Sequence, residues 1–218
     1  MSILFCTPMY GGMCTEAYFK SCIGLQSALI QTGVEYDWYT GVNESLVTRA
    51  RNACVHAFLK DTAYRYMMFI DADIGFAADD VAKLWNLQAP VAVAAYAMKT
   101  PAMPKLSAWV DGRLVGGLDK FKEPVAVDYA GTGFMMISRD CLEKMCAAYP
   151  ETRHMEGPKG EERFALFDTE IVEDGGKRFY ASEDYLFCRR WRKLGGEVLL
   201  EPTIRLQHMG SFAYEGKS

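Results

Sequence analysis

The fold is decided by the stretch MMFIDAD at residues 67–73. Its apolar residues, together with Tyr66, predict a strand that is buried on both faces, as in parallel sheets. Two acids follow directly after this strand, and ligands of open α/β sheets bind at the carboxyl ends of the strands. Because alternate residues of an extended chain point the same way, Asp71 and Asp73 are expected to face one site. Such a pair of carboxylates favours a hard cation, Mg2+ or Mn2+, that shares its ligands with substrate phosphates.

Strand-like and helix-like segments alternate on both sides of this stretch. Residues 1–100 predict strands over 2–6, 34–39, 66–70 and 91–96, with helices over 15–32, from Asn43 or Ser45 onward, and over 78–87. Residues 101–208 predict a hairpin at Asp111-Gly112, strands over 125–129, 134–138 and 197–201, helices from Ser138 or Arg139 to 148 and over 183–194, and a loop over 150–160. The pattern therefore predicts an α/β fold: a three-layer α/β/α sandwich with a Rossmann-like N-terminal half and a mixed sheet in the C-terminal half.

Length and composition fit one compact domain. The chain has 218 residues without a linker-like segment, so residues 1–218 are expected to form one domain that ends in a tail at residues 209–218. The net charge of −4 gives no basis for binding nucleic acid, and no apolar run is long enough for a membrane anchor. The seven cysteines are an odd number without a Cys-x-x-Cys pair, which favours a soluble protein of a reducing compartment, the cytoplasm.

Several motifs together resemble those of the GT-A glycosyltransferases, in particular the family-2-like members that use nucleotide sugars. The matching segments are FIDADI at 69–74, like the Asp-x-Asp motif; VTRARNA at 47–53, like the Ala-Arg-Asn helix before it; GTGFMMI at 131–137, like the acceptor-side strand; SEDY at 182–185, like the Glu-Asp helix start; and His208, like a late metal-binding histidine. The resemblance covers residues 3–208. It implies a GT-A fold with a nucleotide-sugar-binding half at 1–100 and an acceptor and catalytic half at 101–208.

The resemblance implies a nucleotide-sugar donor, UDP-linked, whose nucleotide is contacted from three segments of the N-terminal half. The residues concerned are Thr7, Pro8, Tyr10, Arg49, Arg51, Asp71 and Ala72. Arg49 and Arg51 stand two positions apart on a helix, so only one of them can face the cleft, and the sequence leaves open which.

The same resemblance implies a metal site. Asp73 is its main protein ligand and His208 a further one. Asp71 contacts either the ribose or the metal, the latter through water. An imidazole ligand favours Mn2+ over Mg2+.

The pair Glu183-Asp184 opens a predicted helix and is implied to be catalytic. Asp184 would act as the general base that takes the proton from an acceptor hydroxyl, on a glycan or glycoprotein, and transfer would invert the anomeric centre. Acids at a helix N-terminus are also ordinary caps, and the helix dipole lowers their pKa, so burial would have to offset the dipole. Front-face attack with retention stays an alternative, because Asp-x-Asp occurs in both classes.

Two other classes of protein remain open. A haloacid-dehalogenase-like phosphatase also places Asp-x-Asp after an apolar strand, but that family has Thr or Val two residues after the second Asp, where this chain has Gly75. A non-catalytic sugar-binding module would bind its ligand at the donor site, and Asp184 would have no catalytic role. Release of UDP from a UDP-sugar would separate both classes from a transferase.

Overall fold

The computed structural model describes residues 2–100, 105–157, 160–210 and 213–215. The helices are α1 Glu16–Thr32, α2 Val47–Lys60, α3 Ala78–Asn86, α4 Arg139–Ala148 and α5 Glu183–Lys193, with short 3-10 turns at Tyr10–Gly12 and Pro150–Thr152. The strands are β1 Ser2–Met9, β2 Glu35–Val42, β3 Tyr66–Ile70, β4 Ile74–Gly75, β5 Val91–Val93, β6 Ala108–Val110, β7 Arg113–Leu114, β8 Val125–Val127, β9 Tyr129–Ala130, β10 Phe134–Ser138, β11 Arg153–Met155, β12 Glu162–Phe164, β13 Glu170–Asp174, β14 Lys177–Ala181, β15 Val198–Leu200, β16 Gln207–Met209 and β17 Ala213–Glu215.

Among the described residues, seven strands form the central sheet in the order β2-β1-β3-β10-β5-β15-β8. The pairs β2–β1, β1–β3 and β5–β15 are parallel, whereas β10 lies antiparallel between β3 and β5, and β8 pairs antiparallel with β15. Strands from both halves of the chain therefore share one sheet. The prediction of an α/β fold with a mixed central sheet flanked by helices is confirmed.

The apolar character of β3 follows from burial on both faces of the sheet. Met67 and Phe69 belong to one hydrophobic cluster, and Met68 and Ile70 belong to a second cluster on the other face. All four side chains have 0% exposure. Alternate side chains of a strand point to opposite faces, so a strand covered by helices on both sides must be apolar throughout. This burial fixes the end of β3, where Asp71 follows.

Helix boundaries agree with the capping signals at α1 but not at α2. Thr15 accepts a hydrogen bond from the Tyr18 amide at 3.3 Å, and Gly33 ends α1 in the left-handed region at φ 66°. The prediction that Asn43 or Ser45 caps α2 is wrong. Leu46 occupies the N-cap position, so no side chain caps the helix there. The Leu46 amide itself donates to the Glu44 carboxylate at 3.0 Å.

Short strands in the second half were not predicted. The predicted loop over 150–160 contains β11, which pairs with β12, and the prediction at Pro158 and Lys159 lies outside the described residues. The hairpin β13–β14 precedes α5, and residues 213–215, which the sequence assigns to a tail, pair with β16. The three-residue strands β11, β12 and β17 are too short to show a period in the sequence, so tertiary pairing decides them. The hairpin β13–β14 did have a signal, since Gly175-Gly176 forms its turn. No helix in the described ranges combines the length and the apolar character needed to cross a membrane.

Candidate active site

A small sheet, β17-β16-β4, brings the C-terminal His208 to the acid motif. His208 stands opposite Ile74 in the antiparallel pairing of β16 with β4, and the Met209 amide donates to the Asp73 carbonyl at 2.8 Å. As a result, His208 Nε2 lies 3.6 Å from Asp73 Oδ1. Backbone pairing, independent of any side-chain ligand, therefore places two of the predicted metal ligands next to each other.

The ring of His208 is held in place by a backbone carbonyl. Its Nδ1 lies 2.7 Å from the Ala97 carbonyl, which can only accept, so Nδ1 carries the hydrogen. In the neutral imidazole, the lone pair is then on Nε2, the atom that faces Asp73. A hydrogen bond from the second ring nitrogen to a carbonyl is the usual support of a metal-binding histidine. The Tyr96 ring packs edge-on against this imidazole, with 4.9 Å between ring centroids.

Asp73 has a second basic partner in Lys99, whose Nζ contacts Oδ2 of the carboxylate. Burial by itself raises the pKa of Asp73, but the contacts with His208 and Lys99 outweigh burial and lower it. Asp73 is therefore ionised at neutral pH.

Asp71 is bound by the guanidinium of Arg51 from α2. Arg51 Nη1 lies 3.1 Å from Asp71 Oδ1, Nη2 lies 3.2 Å from Oδ2, and Nε lies 3.4 Å from Glu183 Oε1. Only 4% of Arg51 is exposed, and its guanidinium lies over the Phe69 ring at 5.2 Å. Burial alone lowers the pKa of Arg51, but the charges of Asp71 and Glu183 raise it by more than burial lowers it, so the guanidinium stays charged. Arg51 thus joins the acid motif to the start of α5.

The two arginines that the sequence could not separate have different surroundings. Arg51 is buried beside Asp71, whereas Arg49 is 55% exposed in its side chain and pairs with Glu44 at 3.3 Å and Glu156 at 3.0 Å. Arg49 lines a different cavity, of about 400 Å³, bordered by α2 and β11. Arg51 is therefore the arginine that faces the acid motif.

A cavity of about 470 Å³ lies beside Asp71 and Asp73 and is lined by residues of the N-terminal half of the chain. Six of the residues that line it were predicted to bind nucleotide or metal: Pro8, Tyr10, Arg51, Asp71, Ala72 and Asp73. Thr7 does not line this cavity. Its side chain is fully buried, and its hydroxyl lies 2.7 Å from the Tyr18 hydroxyl beneath α1. Tyr10 is 72% exposed, so its ring is free to stack on a ligand.

A second cavity, of about 240 Å³, is lined by Lys99 and His208, the two residues that contact Asp73. Asp184 lines it together with Tyr96, Lys99, Tyr185 and His208. Asp73 lines the larger cavity and both of its basic partners line the smaller one, so lining residues of the two cavities touch at this carboxylate. Sequence reasoning missed Lys99 and Tyr96. Their signal was available, because both follow β5 at the carboxyl edge of the sheet, where Asp71 follows β3.

The carboxylate of Asp184 is fixed at the start of α5. The Ser182 hydroxyl donates to its Oδ1, and the Tyr185 amide donates to the same atom at 2.8 Å. Burial raises the pKa of Asp184, and the nearby charge of Glu183 adds to this, while these hydrogen bonds and Arg51 oppose it. The direction of the net shift is upward. Burial therefore outweighs these opposing contacts, and Asp184 is a stronger base than an exposed aspartate.

Gly131 and Gly133 make room for the Tyr96 ring. A Cβ on Gly131 would lie 2.3 Å from Tyr96 Oη, and one on Gly133 would lie 2.8 Å from Tyr96 Cε1 and 3.0 Å from Asp71 Oδ2. The Gly133 carbonyl also accepts from the Asp71 amide at 3.0 Å. The two glycines thus let the strand end, the acid motif and Tyr96 come together.

The donor set fits a divalent cation in part. In the described ranges, no group of three or more His, Cys, Asp or Glu side chains is arranged to hold a metal. Asp73 and His208 offer one carboxylate and one imidazole, which suits Mn2+, whereas both oxygens of Asp71 bind Arg51. A cation on two protein ligands needs phosphate oxygens and water to complete its shell, as is usual at phosphate-handling sites.

The chain matches no protein-family model and no curated protein, but solved structures share its fold. A197 from STIV aligns over 100% of this chain and 95% of its own, with 16% identity and a TM-score of 0.58. GalNAc-T7 with UDP, GalNAc and Mn2+ aligns over 96% of this chain and 44% of its own, with 12% identity and a TM-score of 0.47. A glycosyltransferase involved in the glycosylation of the major capsid of PBCV-1 aligns over 72% of this chain and 69% of its own, with 12% identity and a TM-score of 0.38. The chain therefore shares its fold with A197 from STIV.

Proposed function

We propose that the protein is a metal-dependent glycosyltransferase that moves a sugar from a nucleotide-diphosphate donor, a UDP-sugar, to a hydroxyl of a glycan or glycoprotein. The observation that carries this proposal is the contact between Asp73, which lines one cavity, and His208, which lines another. One cavity has the size and lining for a nucleotide, and the other is lined by the half-buried carboxylate of Asp184. A transferase needs this arrangement, because donor and acceptor must meet at one point.

On the donor side, the exposed ring of Tyr10 offers a stacking surface for the base, next to Pro8. Asp71, held at both oxygens by Arg51, presents its outer edge to the ribose. Asp73 and His208 would hold Mn2+ or Mg2+, and a cation bound there neutralises the charge of a diphosphate leaving group. The donor side is built mainly from residues 1–100.

On the acceptor side, Asp184 acts as the general base. Its Oδ1 is occupied by donors from Ser182 and Tyr185, so Oδ2 is left for the acceptor hydroxyl. A raised pKa increases the affinity of the Asp184 carboxylate for a proton, which is what a general base needs. Glu183, held by Arg51, keeps the start of α5 against the acid motif. Attack from the side opposite the diphosphate gives inversion, and the anomer of the product distinguishes this route from retention.

The test is release of UDP from a panel of UDP-sugars, with Mn2+ and with a chelator. We expect slow release that the chelator abolishes and that Asp73→Asn lowers by at least about 100-fold. Asp79→Asn is the matched control, since Asp79 is an exposed acid in the first turn of α3. Phosphate release from simple phosphoesters, with intact UDP-sugars, would assign the protein to the phosphatases instead. Binding of UDP-sugars without any turnover would make it a sugar-binding module.

A further inference from the structure

Each acid of the motif has its own basic partner. Asp71 is bound at both oxygens by Arg51, while Asp73 has Lys99 on Oδ2 and His208 on the side of Oδ1. The mutual repulsion of Asp71 and Asp73 is thus already compensated by residues of the chain. A divalent cation therefore does not enter an empty anionic site, but one in which Asp73 is already paired.

The ammonium of Lys99 competes directly with a cation at Asp73. It occupies an oxygen that a metal ligand must offer, and two positive charges a few Å apart repel each other. One of them must leave. Lys99 can move away from its carboxylate, because its side chain is 34% exposed on a flexible stem. Arg51, the partner of the other acid, cannot, because its side chain is 5% exposed and fixed by two parallel hydrogen bonds.

We propose that Lys99 is an internal counter-ion of Asp73 in the metal-free protein and that a divalent cation displaces it. This inference rests on the proposed metal-dependent function and adds that Lys99 sets the metal affinity. The lysine lines the smaller cavity, so there is open space beside Asp73 into which the displaced ammonium can move. Binding of the cation is accordingly an exchange of charges and not an addition of charge.

The experiment measures Mn2+ binding without nucleotide, by loss of the free Mn2+ signal in electron paramagnetic resonance. We expect Lys99→Met to lower the dissociation constant by about threefold to tenfold, the range that an exposed ion pair and a nearby like charge can supply. Lys99→Arg keeps the positive charge and should bind Mn2+ like the wild type. Lys83→Met is the matched control, since Lys83 pairs with Asp80 at 3.3 Å on α3, outside the two cavities whose lining residues touch at Asp73.

A second substitution locates the effect. Adding Asp73→Asn to Lys99→Met should remove the tightened binding. An unchanged or weaker affinity in Lys99→Met, with wild-type protein that binds Mn2+, would overturn the counter-ion role and leave the transferase proposal standing. Where neither protein binds Mn2+ alone, the two are compared with UDP present, whose phosphates complete the shell of the cation. Absence of Mn2+ binding there as well would overturn the counter-ion role and the metal-dependent function together. Binding by Lys99→Met alone, without binding by the wild type, supports the exchange in its strongest form.

Discussion

Arg51 and Asp71 face each other across the end of β3 with two parallel hydrogen bonds, of 3.1 Å and 3.2 Å. This two-point geometry is the strongest form of a guanidinium–carboxylate contact. It leaves Asp73 as the acid of the motif with an oxygen that a metal can take. The same guanidinium reaches Glu183 at 3.4 Å, so one buried side chain connects α2, the acid motif and α5.

Removing Arg51 should destabilise the fold. Arg51→Met leaves Asp71 and Glu183 without their cation, and we expect a loss of about 2 to 4 kcal/mol in the free energy of unfolding, less than for a fully buried pair because Asp71 is partly exposed. Urea denaturation measures it. Arg49→Met is the control, and we expect it to stay within about 0.5 kcal/mol of the wild type because Arg49 is a surface residue. Equal effects of the two substitutions would contradict the central position of Arg51.

His208 should be required for metal binding. His208→Gln removes the imidazole that faces Asp73, and we expect Mn2+ affinity to fall by at least about tenfold. His56→Gln is the control, since His56 lies on α2 and pairs with Glu161 at 2.7 Å. Calorimetric titration with Mn2+ in the presence of UDP checks both. The assignment would be refuted by equal Mn2+ affinity in the two variants.

Asp184 should be needed for transfer but not for donor binding. Asp184→Asn keeps the shape of the side chain and its bond from the Tyr185 amide but cannot take a proton. We expect transfer to fall by about 100-fold to 10,000-fold with little change in UDP affinity. The measurement is sugar transfer to an acceptor together with UDP binding. Transfer at the wild-type rate would remove Asp184 from the role of base.

The pKa of Asp184 should also be visible in two pH profiles. Because the folded pKa is raised, the folded protein binds more protons than the unfolded chain above about pH 4, the ordinary range of aspartate. The stability of the wild type should therefore fall, relative to Asp184→Asn, as pH rises from about 4 through the raised pKa, and the difference should then level off. The rate of transfer should fall below the same raised pKa, since the base must be ionised. Denaturation of both proteins across this pH range checks the first statement, and a parallel profile for both would contradict it.

Gly131 should not tolerate a methyl group. In Gly131→Ala the new Cβ would lie 2.3 Å from the Tyr96 hydroxyl, and we expect a destabilisation of about 1 to 3 kcal/mol. Tyr96→Phe removes that oxygen and should recover part of the loss in the double variant. Gly24→Ala is the control, because a Cβ there meets nothing within 4 Å and should stabilise α1 by about 0.5 to 1 kcal/mol. Thermal denaturation of the four variants gives the comparison.

Elements with a local signal could be predicted from the sequence, and the shortest paired strands could not. The apolar run of β3 and the capping signals of α1 were sufficient, because they act locally along the chain. The strands β4 and β16 are two and three residues long, and nothing in their sequences predicts that they pair. Their pairing nevertheless brings His208 to Asp73.

The candidate site divides in the same way. The sequence alone determined the chemistry at the end of β3, since an apolar strand followed by Asp71 and Asp73 delivers two carboxylates to one edge of the sheet. Only the tertiary structure decided that Arg51 and not Arg49 binds Asp71, that Lys99 contacts Asp73, and that the Asp184 carboxylate is buried enough to raise its pKa. The reason is physical: residue type and spacing fix what a side chain can do, whereas charge pairing and burial depend on neighbours that are distant along the chain.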